Sequence, residues 1–485
     1  MRYLSLFIVV SLAITFCIND VFAQSSETEP LKSKVEMLEK ELKEIKDLLK
    51  QQIVKDELKE KEIASLKGKD AQKEKEIASI KEEVKKKELK AAALVPGEES
   101  YFAKKRTEFE EKKLGPAFAT PYTKPFLRRF GRNTYLGGYM DFQFRQDENG
   151  DGSHGFDQTR FIPFIYSDIS DRVKLAAEIE FEHGGVGGGR DGETILEFAT
   201  IDFLITDWIN WRGGFILSPL GKFNLVHDSP LQDLTDRPLV NQFIIPTTLT
   251  DTGMGFFGSL YPSELSKLDY EIYVTNGVFH GLDESGKSFF NASRGLRSSR
   301  GGFEFDNENQ SPGVVGRVAF SPFIGLEFGG SAYTQRYDDN NENQITIPAL
   351  DFAYQRGAFE LVGEGAYAFI ETDDFATSKG IADSMWGYYV EGRYHFMPPR
   401  LKSGSPRIFT ENSTFTGVLR WDQVQTSEIK SGERLNWLRN RITPGLNYRY
   451  TEDTVFKLDY QINMEEKDMT DISNNAFIFS VATYF

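Results

Sequence analysis

One cysteine, Cys17, is all that a chain of 485 residues carries. It falls inside a segment that reads as an export signal to be cut away. The mature chain is therefore expected to have no thiol nucleophile, no disulfide and no cysteine-ligated metal. Phe16 stands where a lipoprotein signal would need a small residue. Histidine is scarce too. His154, His183, His227, His280 and His395 are scattered and form no metal-ligand spacing. No Ser/His nucleophile motif and no phosphate loop at a strand–helix junction occurs, so the chain reads as no enzyme, with no cofactor and no nucleic-acid partner. Beyond the extreme N terminus, no apolar run reaches the ~18 residues that a spanning helix needs.

Aromatics and glycine are plentiful, with 13% aromatic residues, Phe 40 and Gly 42. The first 23 residues have the plan of a secretory signal peptide: Met1-Arg2-Tyr3, an apolar stretch from Leu4 to Ile18, then Val21-Phe22-Ala23 before Gln24. Residues 24–92 follow as a coiled coil. Leu31, Val35, Leu38, Leu42, Ile45 and Leu49 alternate four and three apart, the seam of a heptad repeat. The register continues through Ile63, Leu66, Ile77, Ile80 and Val84, while Asp56, Lys59, Asp70 and Lys73 interrupt it at core positions. E-K-E-I-A-S-L-K at Glu60 to Lys67 recurs as E-K-E-I-A-S-I-K at Glu74 to Lys81. Most other positions are Lys or Glu, a solvated face. A single solvated helix would leave the leucines wet, so an oligomeric coil in the periplasm is the expectation. About sixty residues at ~1.5 Å each make a rod of roughly 90 Å. Residues 93–130, with Pro116, Pro121 and Pro125, read as a linker.

Residues 131–485 change period. Spacing of two replaces spacing of three and four, which predicts strands. Candidates are Asn133–Gln146, Asp157–Asp168, Asp171–His183, Glu193–Asp207, Ile209–Ser218, Asp251–Tyr261, Lys267–Val278 and Gly313–Ser321. Then come Gly325–Tyr337, Ile345–Arg356, Ala358–Ile370, Ser384–Met397, Asn412–Thr426, Trp437–Tyr450, Asp453–Glu465 and Asn475–Phe485. That makes about 16, an even number, as bacterial single-chain barrels have. Short connections alternate with longer polar ones such as Asp147–Phe156, Gly184–Gly192, Pro219–Thr250 and Phe279–Pro312. Only Pro398–Glu411 is longer than the scheme wants. The faces divide likewise. Val173, Leu175, Ala177, Ile179 and Phe181 alternate with Lys174, Glu178, Glu180 and Glu182. Phe456, Leu458 and Tyr460 alternate with Lys457, Asp459 and Gln461. Apolar outside and charged inside needs lipid on one side and water on the other. The fold class expected is an all-β transmembrane barrel of about 16 antiparallel strands, preceded by an α-helical coiled coil and wide enough for an aqueous channel.

The last residues, N-A-F-I-F-S-V-A-T-Y-F, place Phe477, Phe479, Val481, Thr483 and Phe485 on one face. This resembles the closing strand of outer-membrane barrels, whose terminal aromatic addresses the barrel-assembly machinery; that makes the machinery a partner through Phe485. Longer segments resemble the phosphate-selective porin O/P family. They are R-G-G-F-I-L-S-P-L-G-K at Arg212 to Lys222, L-D-Y-E-I-Y-V-T-N-G at Leu268 to Gly277 and G-R-V-A-F-S-P at Gly316 to Pro322. G-Y-Y-V-E-G-R-Y at Gly387 to Tyr394 and P-G-L-N-Y-R-Y at Pro444 to Tyr450 are also similar to family segments. The resemblance covers roughly residues 131–485, and coiled coils precede the barrel in members of that family. It implies a homotrimer of sixteen-stranded channels in the bacterial outer membrane, in contact with its lipid.

The candidate pore-constriction residues lie in the third and fourth long connections. The third carries Lys222, His227, Asp228, Asp233, Asp236 and Arg237. In porins this loop commonly folds into the barrel. The fourth has Arg294, Arg297 and Arg300 at intervals of three, a candidate lining for anions. Composition pulls the other way, since residues 1–130 hold 27 basic and 23 acidic residues, leaving 30 basic against 50 acidic in the barrel. Asp147, Asn149 and Asp151 begin like a calcium loop, but Gln158 occupies the closing position, so a solvated loop is expected and no metal. The function expected is a passive channel for small hydrophilic solutes, among them anions such as phosphate. A structural tether gripping the cell wall through the coiled coil is the alternative.

Overall fold

The computed structural model describes residues 128–130, 133–148, 154–187, 190–263, 265–301, 311–405, 407–410, 412–467 and 474–485. The signal segment, the coiled coil, nearly all of the linker, Asn149 and Asp151 lie outside them. A three-residue strand, β1 (Arg128–Phe130), falls at the end of the stretch read as a linker and pairs with the start of the first long strand.

Sixteen antiparallel strands follow. They are β2 (Thr134–Asp147), β3 (His154–Asp168), β4 (Val173–Gly187), β5 (Arg190–Leu204), β6 (Asn210–Leu217), β7 (Thr250–Ser263), β8 (Ser266–Thr275) and β9 (Gly313–Phe323). The second half comprises β10 (Leu326–Arg336), β11 (Gln344–Arg356), β12 (Phe359–Ile370), β13 (Ser384–Phe396), β14 (Thr414–Lys430), β15 (Glu433–Arg449), β16 (Thr454–Lys467) and β17 (Ala476–Tyr484). From β2 onward each strand pairs with the next, and β17 pairs with β2 from Ala476 opposite Asp147 to Tyr484 opposite Tyr139. The sheet therefore closes, with every strand edge satisfied, which a lipid environment demands. Among the described residues no helix is long and apolar enough to cross a membrane.

Two long-end connections are tighter than the sequence suggests. Gly184–Gly192 reads as an outer loop, yet β4 runs to Gly187 and β5 starts at Arg190. A bulge between Glu182 and Val186 absorbs the positive-φ run His183, Gly184 and Gly185. Polar residues Ser427–Asn436 likewise belong to β14 and β15, joined by Ser431 and Gly432. Both have φ > 0, as a two-residue hairpin turn requires. The longer connection after β13 is present and holds a short helix, Pro399–Gly404.

The outer wall is apolar. Leu350, Leu419, Phe328 and Val318 project from it, and Trp208, Tyr261 and Tyr394 stand exposed near the short-turn end, where an aromatic girdle belongs. The inner wall carries the other register. Lys457, Asp459, Gln461, Arg420, Asp422 and Glu178 are all buried. This inner face is not uniformly charged, however. On β8 to β14 the inward positions near the long-loop end hold Tyr273, Val315, Tyr333, Ile345, Ile347, Met385 and Val424. They form one buried cluster with Leu239, Val240, Ile244 and Ile245 of the third loop and with Phe279, Leu282, Phe290 and Leu296 of the fourth. An apolar core occupies one side of the lumen, contrary to the expectation of water throughout. Each such side chain contributes roughly 1.5–3 kcal/mol by leaving water.

Candidate functional site: a loop held across the lumen

The third long connection leaves β6 at Ser218. Pro219 and Gly221 turn it inward, and two short helices follow, α1 (Lys222–Leu225) and α2 (Leu239–Phe243). Gly221 has φ 71°, and its N–H donates to Ser331 Oγ at 2.9 Å. The next N–H but one, of Phe223, donates to Glu364 Oε2 at 2.8 Å, while Asn241 Nδ2 reaches Glu364 Oε1 at 2.6 Å. One wall carboxylate thus holds both helices. The S-P-L-G-K segment is the bend and its first anchor.

Further along, the loop is bonded to the opposite wall. Asp233 receives Arg449 Nη2 at 2.9 Å and Asn447 Nδ2 at 2.8 Å, with Arg393 Nε at 3.2 Å. Burial alone would raise this carboxyl, but Arg393 and Arg449 outweigh it and hold it down to about 2. Asp236 receives Arg145 Nη1 at 2.9 Å and Gln461 Nε2 at 2.7 Å. Against its own burial, Arg145 and Arg441 hold it down to about 2 as well. The Thr235 N–H donates to Asp459 at 2.6 Å and the Leu239 N–H to Asp422 at 2.9 Å. Lys457 Nζ donates to the Ser229 carbonyl, and Tyr484 OH to Asp228, each at 2.8 Å. The loop therefore bonds to β2, β10, β12, β13, β14, β15, β16 and β17, which is possible only from inside the barrel.

The sequence-predicted residues divide into three groups. Asp233 and Asp236 are wall anchors. Lys222 donates to Glu327 at 2.9 Å and, with His227, whose Nε2 lies 2.7 Å from Glu197, faces the short-turn side. Arg237, Arg297 and Arg300 come together. Arg297 Nη1 donates to the Thr247 carbonyl at 3.0 Å, Arg237 donates to that same oxygen, and Arg300 Nη1 donates to Thr248 at 2.9 Å and Pro246 at 3.3 Å. Among the described residues none of the three, nor Arg294, forms an ion pair with a carboxylate. Burial, then Arg160, lowers the Arg237 guanidinium to about 10; burial, then Arg300, does the same to Arg297. Arg237 and Arg297 both remain charged at neutral pH. Nε of Arg237 and Nε of Arg300 are buried and find no hydrogen-bond partner among the described residues. Asp147, the described member of the calcium-loop start, is bonded to Arg145 Nε at 2.7 Å.

Arg237, Arg294 and Arg297 line a space of about 340 Å³, together with Arg160, Lys457, Asp141 and Asp236. The sequence reading did not single out Arg160, which bonds Asp141 at 3.4 Å and Glu180 at 3.2 Å. In β3 both faces are apolar around it: Phe161 projects outward while Ile162, Phe164 and Tyr166 are buried inside. Alternation gave no sign of which way Arg160 pointed.

Among solved structures, the Salmonella typhi OmpF complex with daunomycin aligns with a TM-score of 0.50 at 12% identity, over 74% of this chain and 100% of that chain. The likeness is one of fold, a closed antiparallel barrel of sixteen strands. The anion-selective porin from Comamonas acidovorans aligns with a TM-score of 0.48 at 10% identity, over 73% of this chain and 99% of that chain. In sequence, an uncharacterized protein of Aquifex aeolicus is 28% identical over 302 residues. Those residues are 59% of this chain and 65% of the relative, so the match spans just under two thirds of that protein. No family model matches the chain.

Proposed function

We propose that the chain is an outer-membrane channel through which small anions, phosphate among them, cross in preference to cations. The observation that carries this reading is the meeting of Arg237, Arg297 and Arg300 at the carbonyls of Pro246 to Thr248, with Arg237, Arg294 and Arg297 lining one space and no carboxylate paired to any of the four among the described residues. Guanidinium donors in a narrow passage with low-dielectric walls focus a positive field, which concentrates anions there. The acidic balance of the barrel does not oppose this, because many of the carboxylates are spent on wall arginines. Asp422 binds Arg420 at 2.8 Å, and Asp202 binds Arg212 at 2.7 Å. The third loop is the constriction, and its docking sets the bore.

The resemblance of the G-G-F-I-L-S-P-L-G-K segment to the phosphate-selective porin O/P family agrees with this reading. On the same reading the protein is a homotrimer, Phe485 is its address for the assembly machinery, and the N-terminal coil stands in the periplasm. Reversal potentials in a planar bilayer under a salt gradient test the proposal. An anion-side reversal potential is expected, and a cation-side one overturns the preference.

A further inference from the structure

The third loop has a different electrostatic environment on each of its two sides. Thr235, Asp236, Arg237, Gln242 and Phe243 border the 340 Å³ space, which Arg294 and Arg297 of the fourth loop enter. His227 and Asp228 border a second space of about 130 Å³, which reaches the short-turn end at Asp207, Ser259 and Lys267. The two share no lining residue. Five cations and two carboxylates line the first. Seven carboxylates, among them Glu197, Asp269, Glu271 and Glu327, outnumber four Lys and Arg in the second. Glu180 and Glu182 pair with Arg160 at 3.2 and 3.3 Å, and Arg300 adds its charge beside them. With these described residues included, six cations still face four carboxylates around that space.

From this arrangement we infer that the pore is a bipolar rectifier, a positive compartment and a negative one in series on either side of the loop; the inference rests on the channel reading above. Each compartment enriches the mobile ion of opposite sign. When the short-turn side is held positive, anions enter through the basic compartment while cations enter through the acidic one. Both kinds accumulate at the loop and conductance rises. Reversed polarity draws each ion away from the loop, depletes it and lowers conductance. Uptake of anions from the long-loop side is thus the direction of easy flow, and their return is impeded.

The test is the current–voltage curve of single channels of the purified full-length protein in potassium chloride. A Ser285→Cys variant, at an exposed site of the fourth loop, takes a bulky thiol label from one chamber and reports which side carries the long loops. At about 0.1 M salt, where the screening length is ~10 Å, currents at equal and opposite voltages should differ by roughly twofold or more, the larger with the short-turn side positive. At about 1 M, where it is ~3 Å, the ratio should fall toward one. An Asp207→Asn, Asp269→Asn double variant should reduce the ratio while raising anion preference, a combination that mere loosening of the fold does not produce. Ohmic currents at low salt, or rectification of the opposite sign, overturn the rectifier and leave the channel standing. Absence of any current overturns both.

Discussion

A Cβ on Gly221 would lie 2.6 Å from Oε1 of Glu364. The wall carboxylate that holds the third loop is in reach only because position 221 has no side chain, and the φ of 71° there favours glycine as well. Gly221→Ala should cost ~1–3 kcal/mol in loop docking. The expected result is a lower melting temperature and a larger, noisier single-channel current. Gly404→Ala, where a Cβ meets nothing within 4 Å, should leave both unchanged.

The two loop aspartates set the acid limit of this docking. Both carboxyls are depressed to about 2, so their stabilisation is complete above the unfolded value of ~3.9 and is lost as pH falls through about 2. The share of docking that these two carboxyls supply should stay level from neutral pH down to about 4 and be lost between about 4 and 2, read as a change in conductance. Asp233→Asn should bring the acid behaviour to neutral pH. Removing one partner of a buried pair costs roughly 3–5 kcal/mol, with the low end expected because Arg393 keeps Glu391 and Glu360.

Replacing Arg294, Arg297 and Arg300 with glutamine should move the reversal potential toward cations. The shift should be larger for Arg297 and Arg300, which stand beside Arg237, than for the exposed Arg294. Equal effects of all three, or none, would count against a shared anion position.

Excising Asn224 to Gln242 should raise conductance several-fold. The same deletion removes Leu239 and Val240 from the inner apolar cluster and leaves Tyr273, Val315 and Ile345 facing water. A fall in melting temperature should accompany the wider pore. An unchanged conductance would show that the loop is no constriction.

A fragment of residues 24–95 should be helical by circular dichroism and self-associated by light scattering. A monomer at concentrations of tens of micromolar would remove the coil from the account of oligomer assembly.

The sixteen strands were legible because the bilayer makes a period of two unavoidable. A residue in a closed sheet faces either lipid or lumen, so alternation such as Phe456, Lys457, Leu458, Asp459 writes the architecture into adjacent positions. The ends of the strands were less legible. Polar residues from Ser427 to Asn436 satisfy a hairpin above the membrane as readily as a loop, and only the pairing decides between them. The candidate site was legible as a set of residue types in two loops, but not as a place.

Alternation by itself determined the barrel, its strand number and the wall face of most inward charges. Tertiary structure alone decided what fills the barrel. Asp233 meets Arg449 across 216 positions and Asp236 meets Gln461 across 225, and no local periodicity encodes such pairs. The same holds for the apolar side of the lumen. Tyr273, Ile345 and Met385 face inward like the charged residues below them, and become a core only when Leu239, Val240 and Leu296 arrive from two loops to cover them. The arginines separate for the same reason. Arg145 and Arg449 are neutralised because loop aspartates reach them, while among the described residues Arg237, Arg297 and Arg300 bond only to the backbone carbonyls of Pro246 to Thr248.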